Sequence, residues 1–219
     1  MTTNHLEETK EYNCPLCENK SNIFTCIKHR IYYKCDNCFS IFLAPNCRLD
    51  EASEKKRYLE HNNDINDQGY RDSVAPITDY IFYKYSKYSL GLDFGAGTGP
   101  VISSVLTEKG YNVLKYDPFF YPDKSVLDIQ YDYIVCCEVI EHFYNPKKEF
   151  LQLMNCIKKN GELICKTDLF EDSMDFNNWY YNSDPTHVFF YSKNTFMWIK
   201  KQFGFTNVSI EGRLILLEK

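Results

Sequence analysis

No apolar stretch in the chain approaches the roughly 18 residues that a membrane-spanning helix requires. The polar residues 1–13 lack the apolar core of a secretory signal. Surplus positive charge is missing as well: 25 Lys and Arg stand against 30 Asp and Glu, a formal charge of −5 at pH 7. That balance excludes the broad basic footprint by which proteins hold polyanions nonspecifically, and leaves only a local basic groove open. A soluble, unexported, cytoplasmic protein without a membrane partner is therefore expected.

What the chain does contain is ordinary globular material, 44% apolar and 25% charged, over 219 residues. That length accommodates one full α/β domain and a small appendage. The ten cysteines are less ordinary. Cys14-Pro-Leu-Cys17 and Cys35-Asp-Asn-Cys38 are two Cys-x-x-Cys pairs separated by 17 residues, the spacing of a four-thiolate zinc site. Residues 24–34 alternate enough to form a hairpin between them. A segment this short buries little core, so metal binding would supply much of its folding free energy. The rival reading, a redox Cys-x-x-Cys, lacks the βαβ surroundings that such motifs occupy. Zinc knuckles often carry Gly just after the second Cys. Here Glu18 and Phe39 take those places, which predicts some backbone strain. Cys136, Cys137, Cys156 and Cys165 read as small buried hydrophobes of a reducing compartment, and Cys26 and Cys47 are left over. Such a ribbon is a staple or a docking surface for a protein or substrate, and composition does not choose between them.

Residues 51–61 have helical composition, residues 62–69 read as a loop, and residues 73–88 resume an aromatic amphipathic pattern that predicts a helix on the main domain. Tyr58 and His61 are read as solvated helix residues, with a cleft-lining role as the rival. Next comes Leu90-Gly-Leu-Asp93-Phe-Gly95-Ala-Gly97-Thr-Gly99-Pro, leading from an apolar strand into a helical pattern over residues 101–109. A second strand, 112–116, ends at Asp117. Strand, glycine turn, helix and a strand closing on an acid make a mononucleotide-binding half, in which the glycines admit close backbone approach and the acid can bind ribose hydroxyls.

The Asp-x-Gly-x-Gly-x-Gly order of Asp93, Gly95, Gly97 and Gly99 resembles the first motif of class I S-adenosylmethionine-dependent methyltransferases, and Asp117 matches their ribose acid. The resemblance runs over about residues 75–219. It implies a Rossmann-like α/β fold with a central, mostly parallel sheet flanked by helices. Divided this way, residues 1–48 form a zinc ribbon, 49–74 a helical linker and 75–219 the catalytic domain. Asp93 and the three glycines would cradle the methionine end of S-adenosylmethionine, with Asp117 on the ribose and Glu138 near the cofactor. One departure stands out: the Pro-containing stretch between Asp117 and Asp132 abbreviates the third strand to about 125–129. Asp128, the nearest candidate for an adenine-binding acid, is not adopted.

Glu138-Val-Ile-Glu141-His142 follows the apolar run Tyr133-Ile-Val-Cys-Cys. If a helix starts there, positions 138, 141 and 142 share a face. In many relatives a similar stretch binds no metal and shapes the pocket. In small-RNA 3′-terminal 2′-O-methyltransferases and some ubiquinone-pathway O-methyltransferases, the similar set holds a divalent ion. His187 lies where a second histidine would complete it, so Glu138, Glu141, His142 and His187 are candidate catalytic residues and candidate ligands of a second divalent cation. Trp179, Tyr180 and Tyr181 either cover substrate or pack, and Ser192 is read as the N-cap of a helix over 192–203. The sequence thus points to a transferase with a small-molecule or sugar-like acceptor. An RNA 2′-O-methyltransferase is the alternative within that class, and a noncatalytic binding module recruiting partners through the ribbon is the alternative outside it.

Overall fold

The computed structural model describes residues 11–60 and 63–219. Each cysteine pair closes a tight turn: the Glu18 amide donates to Cys14 O and the Phe39 amide to Cys35 O, both at 2.8 Å. Glu18 and Phe39 adopt φ of 62° and 60°, the left-handed conformation that glycine adopts at least cost. The expected hairpin is present as antiparallel strands β1 (Asn22–Ile27) and β2 (Arg30–Lys34). Its two-residue turn, Lys28-His29, has positive φ at both positions, as a primed turn demands. Strand β3 (Ile41–Leu43) pairs with β2 and is wholly buried.

Helix α1 (Glu51–Leu59) is capped by Asp50, whose side chain accepts from the Ser53 amide, and it has no buried residue. Helix α2 (Gln68–Lys84), capped by Asp67, starts earlier than its aromatic pattern indicates and buries Val74, Ile77, Thr78 and Ile81. The remaining elements are β4 (Leu90–Phe94), α3 (Val101–Glu108), β5 (Asn112–Tyr116), β6 (Tyr131–Cys137), α4 (Pro146–Cys156) and β7 (Ile157–Lys166). They are followed by β8 (Phe189–Phe190), α5 (Lys193–Phe203), β9 (Asn207–Glu211) and β10 (Leu214–Glu218). Ser192 is the N-cap of α5, in a reciprocal capping box with Thr195, and Gly204 closes the helix in the left-handed conformation.

Strands β5-β4-β6-β7-β10-β9 form one sheet, parallel from β5 to β7 and antiparallel at β10 and β9. The two-residue period of β6 and β7 serves both faces. Tyr133, Val135 and Ile164 pack with α2 and α3, while Ile134, Cys136, Leu163 and Cys165 join the core on the α4 and α5 side. Cys136, Cys156 and Cys165 are buried as expected, Cys137 is half-buried and Cys26 is exposed. Because β4 has β5 on one side and β6 on the other, the strand order reverses there, opening a crevice at the carboxyl ends of the strands.

The expected short third strand does not form. Lys124–Asp128 is a 3₁₀ turn capped by Asp123, and the Tyr131 hydroxyl donates to Val126 O at 2.6 Å. Pro118 and Pro122 carry no N–H for a ladder, so the sheet ends at β5. A second departure matters more. The ribbon has its own sheet, ordered β1-β2-β3-β8, and its fourth strand comes from the far end of the chain. Among the described residues no helix is long and apolar enough to cross a membrane.

The left-handed backbone at Phe39, whose side chain is exposed, is an avoidable cost of about 1 kcal/mol. Phe39→Gly is therefore expected to raise the melting temperature of zinc-loaded protein by about 2–4 °C in a calorimetric scan.

Candidate active site and four-cysteine centre

A cavity of about 700 Å³ opens where β4, β5 and β6 end. Its floor is the glycine loop. Asp93 is buried and does not face the cavity with a free carboxylate: its Oδ2 accepts from the Ser103 amide at 3.2 Å and the Ser103 hydroxyl at 2.7 Å. Burial pushes its pKa up to about 6, and the Ser103 hydrogen bonds oppose that. Asp93 thus fixes the start of α3 against the loop. Gly95 has φ 78°, and a Cβ there would lie 2.4 Å from a Val139 methyl, so both conformation and space require glycine. Gly99 lies under the Asn63 carbonyl, and a Cβ would sit 1.8 Å from that oxygen.

Asp117 faces the same loop, its Oδ2 accepting from the Gly97 amide at 3.0 Å and its Oδ1 from the Phe119 and Phe120 amides at 2.8 and 3.0 Å. A carboxylate locked by three amides presents its remaining lone pairs in a fixed direction, which suits a ribose diol. Asp128 is exposed and is not among the residues lining the cavity.

The Glu-Val-Ile-Glu-His stretch forms no helix face. Glu138 has φ 53° and only Ile140–His142 forms a single 3₁₀ turn. Glu138 therefore separates from Glu141 and His142. Glu138 is paired with Lys166 Nζ at 3.1 Å and Arg213 Nη2 at 2.6 Å, and it stands outside the cluster formed by Glu141, His142 and His187. The ligand atoms of those three residues lie within 4.8 Å of one another. His187 comes from beyond β7, as the sequence anticipated, in the segment that leads into β8.

Glu141 is completely buried. Thr167 Oγ1 donates to its Oε2 at 3.1 Å and the Tyr181 hydroxyl donates to its Oε1. The same hydroxyl lies 3.0 Å from Glu138 Oε2, and one phenolic proton serves only one carboxylate at a time. Burial pushes the Glu141 pKa up to about 7; the nearby His187 opposes this and Glu138 adds to it. Burial, helped by the charge of His142, lowers the pKa of His187. The Nδ1 of His187 lies 2.6 Å from Tyr181 O, and that of His142 lies 2.9 Å from Thr186 O. A carbonyl only accepts, so each Nδ1 carries a hydrogen, and Nε2 is the basic nitrogen of either ring in its neutral form.

Several neighbours escaped the sequence reading. Tyr58, expected in solvent, lines the cavity with its ring edge-on to His142 at 5.4 Å. His61 lies outside the described residues. The aromatic triplet splits by role: Trp179 packs on Phe170, Phe176 and Phe190, Tyr181 binds the two glutamates, and Tyr180 is exposed with its hydroxyl on Asp168 at 2.7 Å. Lys166 and Thr167 had a legible signal, since parallel pairing of β6 with β7 brings the end of one strand beside Glu138. Arg213 had none, because its place depends on the β9–β10 hairpin folding back.

In the ribbon, Cys14, Cys17, Cys35 and Cys38 converge, with sulfurs 3.4 Å apart between Cys14 and Cys38 and 3.3 Å between Cys17 and Cys35. Tetrahedral zinc with bonds of about 2.3 Å sets sulfur–sulfur edges of about 3.8 Å, so the residues fit such an ion closely. Hydrogen bonding with Cys35 pushes the Cys14 thiol up to about 12, while the same coupling holds Cys35 low. Crowded thiols of this kind ionise together only around a cation.

The crevice at the strand reversal, with its glycine floor and acid wall, is that of a methyltransferase domain. Residues 68–210 match the family described as methyltransferase domain, and the chain belongs to that family, with its class I fold. The ubiquinone biosynthesis O-methyltransferases of Rickettsia felis (strain ATCC VR-1525 / URRWXCal2) and Rickettsia canadensis (strain McKiel) are each 30% identical over 146 residues. Those matches cover 52% of this chain and 59% and 61% of the respective relatives. The chain thus spans about three fifths of the length of these relatives. A methyltransferase of Archaeoglobus fulgidus superposes with a TM-score of 0.53 at 14% identity, over 68% of this chain and 94% of that one. Phosphoethanolamine N-methyltransferase 2 of Haemonchus contortus, solved with S-adenosylmethionine, gives 0.52 at 15%, over 72% and 42%. At such identities the structures share the fold.

The Glu141 pKa yields a stability prediction. Its folded value, about 7, exceeds the ordinary 4.5, so the charged form costs folded-state stability. That cost, on the order of 3 kcal/mol, is full above about pH 7 and disappears as pH falls toward 4.5. Glu141→Gln is expected to raise the melting temperature by about 6–12 °C at pH 8 and to leave it unchanged near pH 4.5, as read by circular dichroism.

Proposed function

We propose that the enzyme methylates a hydroxyl of a small organic acceptor, with Glu141, His142 and His187 forming the reacting end of the cavity. The observation that carries this reading is His187, which lines the same cavity as the glycine loop with the buried Glu141 behind it. The names of the Rickettsia relatives and the net negative charge support a small acceptor over a polyanion.

In this reading Asp117 holds the ribose diol of S-adenosylmethionine, and the amides around Gly95 and Gly97 face its methionine end. The acceptor hydroxyl gives its proton to His187 Nε2, with Glu141 stabilising the imidazolium that results. The acceptor oxygen forms a bond to the methyl carbon as the carbon–sulfur bond breaks, and neutral S-adenosylhomocysteine leaves with the electron pair on sulfur. The sulfonium methyl is already activated, so the protein's task is alignment and proton removal. Burial lowers the proton affinity of His187 and so favours its neutral form.

The histidine tautomers also favour a second reading of the same residues. Two imidazoles and one carboxylate whose ligand atoms lie within 4.8 Å of one another form a donor set for Mn²⁺, Fe²⁺ or Zn²⁺. Such an ion would supply Lewis acidity toward the acceptor hydroxyl. Glu138 is not required for it.

His187→Ala is expected to lower methyl transfer at least 100-fold, on the order of the contribution of a general base, with the S-adenosylmethionine Kd unchanged by calorimetry. Asp117→Ala is expected to weaken that Kd by about 10-fold or more, as the loss of a charge-assisted bond implies. Full turnover in His187→Ala would sink the reacting-end assignment. Elemental analysis separates the two readings: a second metal equivalent, lost in both Glu141→Ala and His187→Ala, marks an ion at this site.

A further inference from the structure

The ribbon and the reacting end are joined by one peptide. Val188, adjacent to His187, donates its N–H to Glu141 O at 2.9 Å and accepts at its carbonyl from the Leu43 amide at 2.8 Å. One face of that residue thus belongs to the 3₁₀ turn that carries Glu141 and His142, and the other to the ribbon strand β3. The pairing continues as Phe42↔Phe189 and Ile41↔Phe190, and the Ser192 hydroxyl donates to Phe39 O at 3.2 Å. Behind β3 the connection reaches the sulfurs: Ser40 Oγ lies 3.1 Å from Cys38 Sγ and 3.5 Å from Cys14 Sγ, and the Cys35 amide donates to Ser40 O.

The packing follows the same route. Tyr32, Ile41 and Leu43 of the ribbon bury themselves with Phe170, Phe176, Tyr181, Val188 and Phe190 in a cluster separate from the central sheet's two cores. The Arg30 guanidinium donates to Asn182 O at 2.9 Å, Lys34 pairs with Asp172 at 2.6 Å, and the Thr25 hydroxyl donates to Asn177 Oδ1 at 2.8 Å. Residues 168–191 contain only short 3₁₀ turns and the two-residue β8, so they have no ladder of their own. Five of their apolar side chains rest on the hairpin β1–β2 and on β3, while Leu169, Phe189 and Tyr191 join the central core. A ribbon of this size folds only around its metal.

We propose that the four-cysteine module is a positioning element of the reacting end. Its metal-dependent fold holds Val188, and through Val188 it sets the places of the His187 imidazole and the Glu141 main chain. The glycine loop and Asp117 lie on the other side of the crevice and make no hydrogen bond to the ribbon among the described residues. Metal loss should therefore disorder the reacting end and spare cofactor binding. The consequence for turnover rests on the role proposed above for His187; the mechanical coupling does not.

The test uses the full chain with zinc bound, then stripped with a chelator, then reloaded with Zn²⁺. Amide hydrogen exchange is read at Leu43, Val188, Leu92 and Ile134, and S-adenosylhomocysteine affinity is measured by calorimetry. On stripping, protection at Val188 and Leu43 should fall by about 100-fold, from structured to loop-like, while Leu92, Ile134 and the affinity keep their values. Zinc should restore both amides. Cys17→Ser should reproduce the stripped state, and Cys17→His, which keeps a zinc ligand at this half-buried position, should restore protection when loaded. Unchanged protection at Val188 after zinc removal overturns the proposal. So does loss at Val188 that occurs only together with Leu92 and Ile134, since that is global unfolding. His187→Ala keeps the two readings apart: protection at Val188 should persist in it, whether or not methyl transfer is lost.

Discussion

The arrangement of the crevice turns on a single buried carboxylate. Glu141 has no exposure to solvent, and an unpaired carboxylate in that position costs several kcal/mol. It is satisfied by Thr167 from the end of β7 and by Tyr181 from the segment beyond it, with the His187 ring nearby. Meeting that demand requires residues 168–191 to fold back over the strand ends. Once they do, both histidine rings are fixed through Nδ1 to main-chain carbonyls, and the two rings meet edge-on with centroids 4.8 Å apart. Burial raises the affinity of Glu141 for a proton and lowers that of His187, so it disfavours charge on both members of the pair.

The covering segment cannot hold this shape alone. It has almost no regular structure, and while Leu169, Phe189 and Tyr191 reach the central core, Phe170, Phe176, Tyr181, Val188 and Phe190 find theirs against the ribbon. The ribbon in turn is too small to fold on apolar burial, and it accepts left-handed backbone at Glu18 and Phe39 to bring four sulfurs together. Each weak part is completed by the next: sulfurs close the knuckles, the knuckles set β3, and β3 pairs with β8. A four-stranded sheet made from the two ends of the sequence results. Helix α1 joins the same closure through Arg57, which donates to Asp184 at 2.9 Å, and through Tyr58 against His142.

Local patterns made much of this legible in the sequence. The glycine order, the acid closing β5, the cysteine spacing and the Ser192 cap are each determined within a few residues, and each is where the sequence places it. The position of His187 followed from topology, since strand ends gather on one side of a parallel sheet. What failed depended on long-range pairing or on backbone choice. A helical face through Glu138 presupposed regular φ angles, and φ of 53° at Glu138 removed it. The third strand yielded to proline and to the Tyr131–Val126 bond. The β3–β8 pairing was invisible because two phenylalanines carry no periodic signal and their partner lies about 150 residues away. Tyr181 looked like packing because aromatic burial and hydroxyl bonding have one sequence signature.

The central claim is that the Glu141, His142 and His187 side of the crevice faces the methyl group. A crystal structure of the zinc-loaded protein with S-adenosylhomocysteine tests it most directly. The account predicts ribose hydroxyls on Asp117 and the sulfur turned toward His187 Nε2, with space between them for an acceptor oxygen. A sulfur directed away from the histidines, with Tyr181 and Glu141 screened from it, would contradict the account.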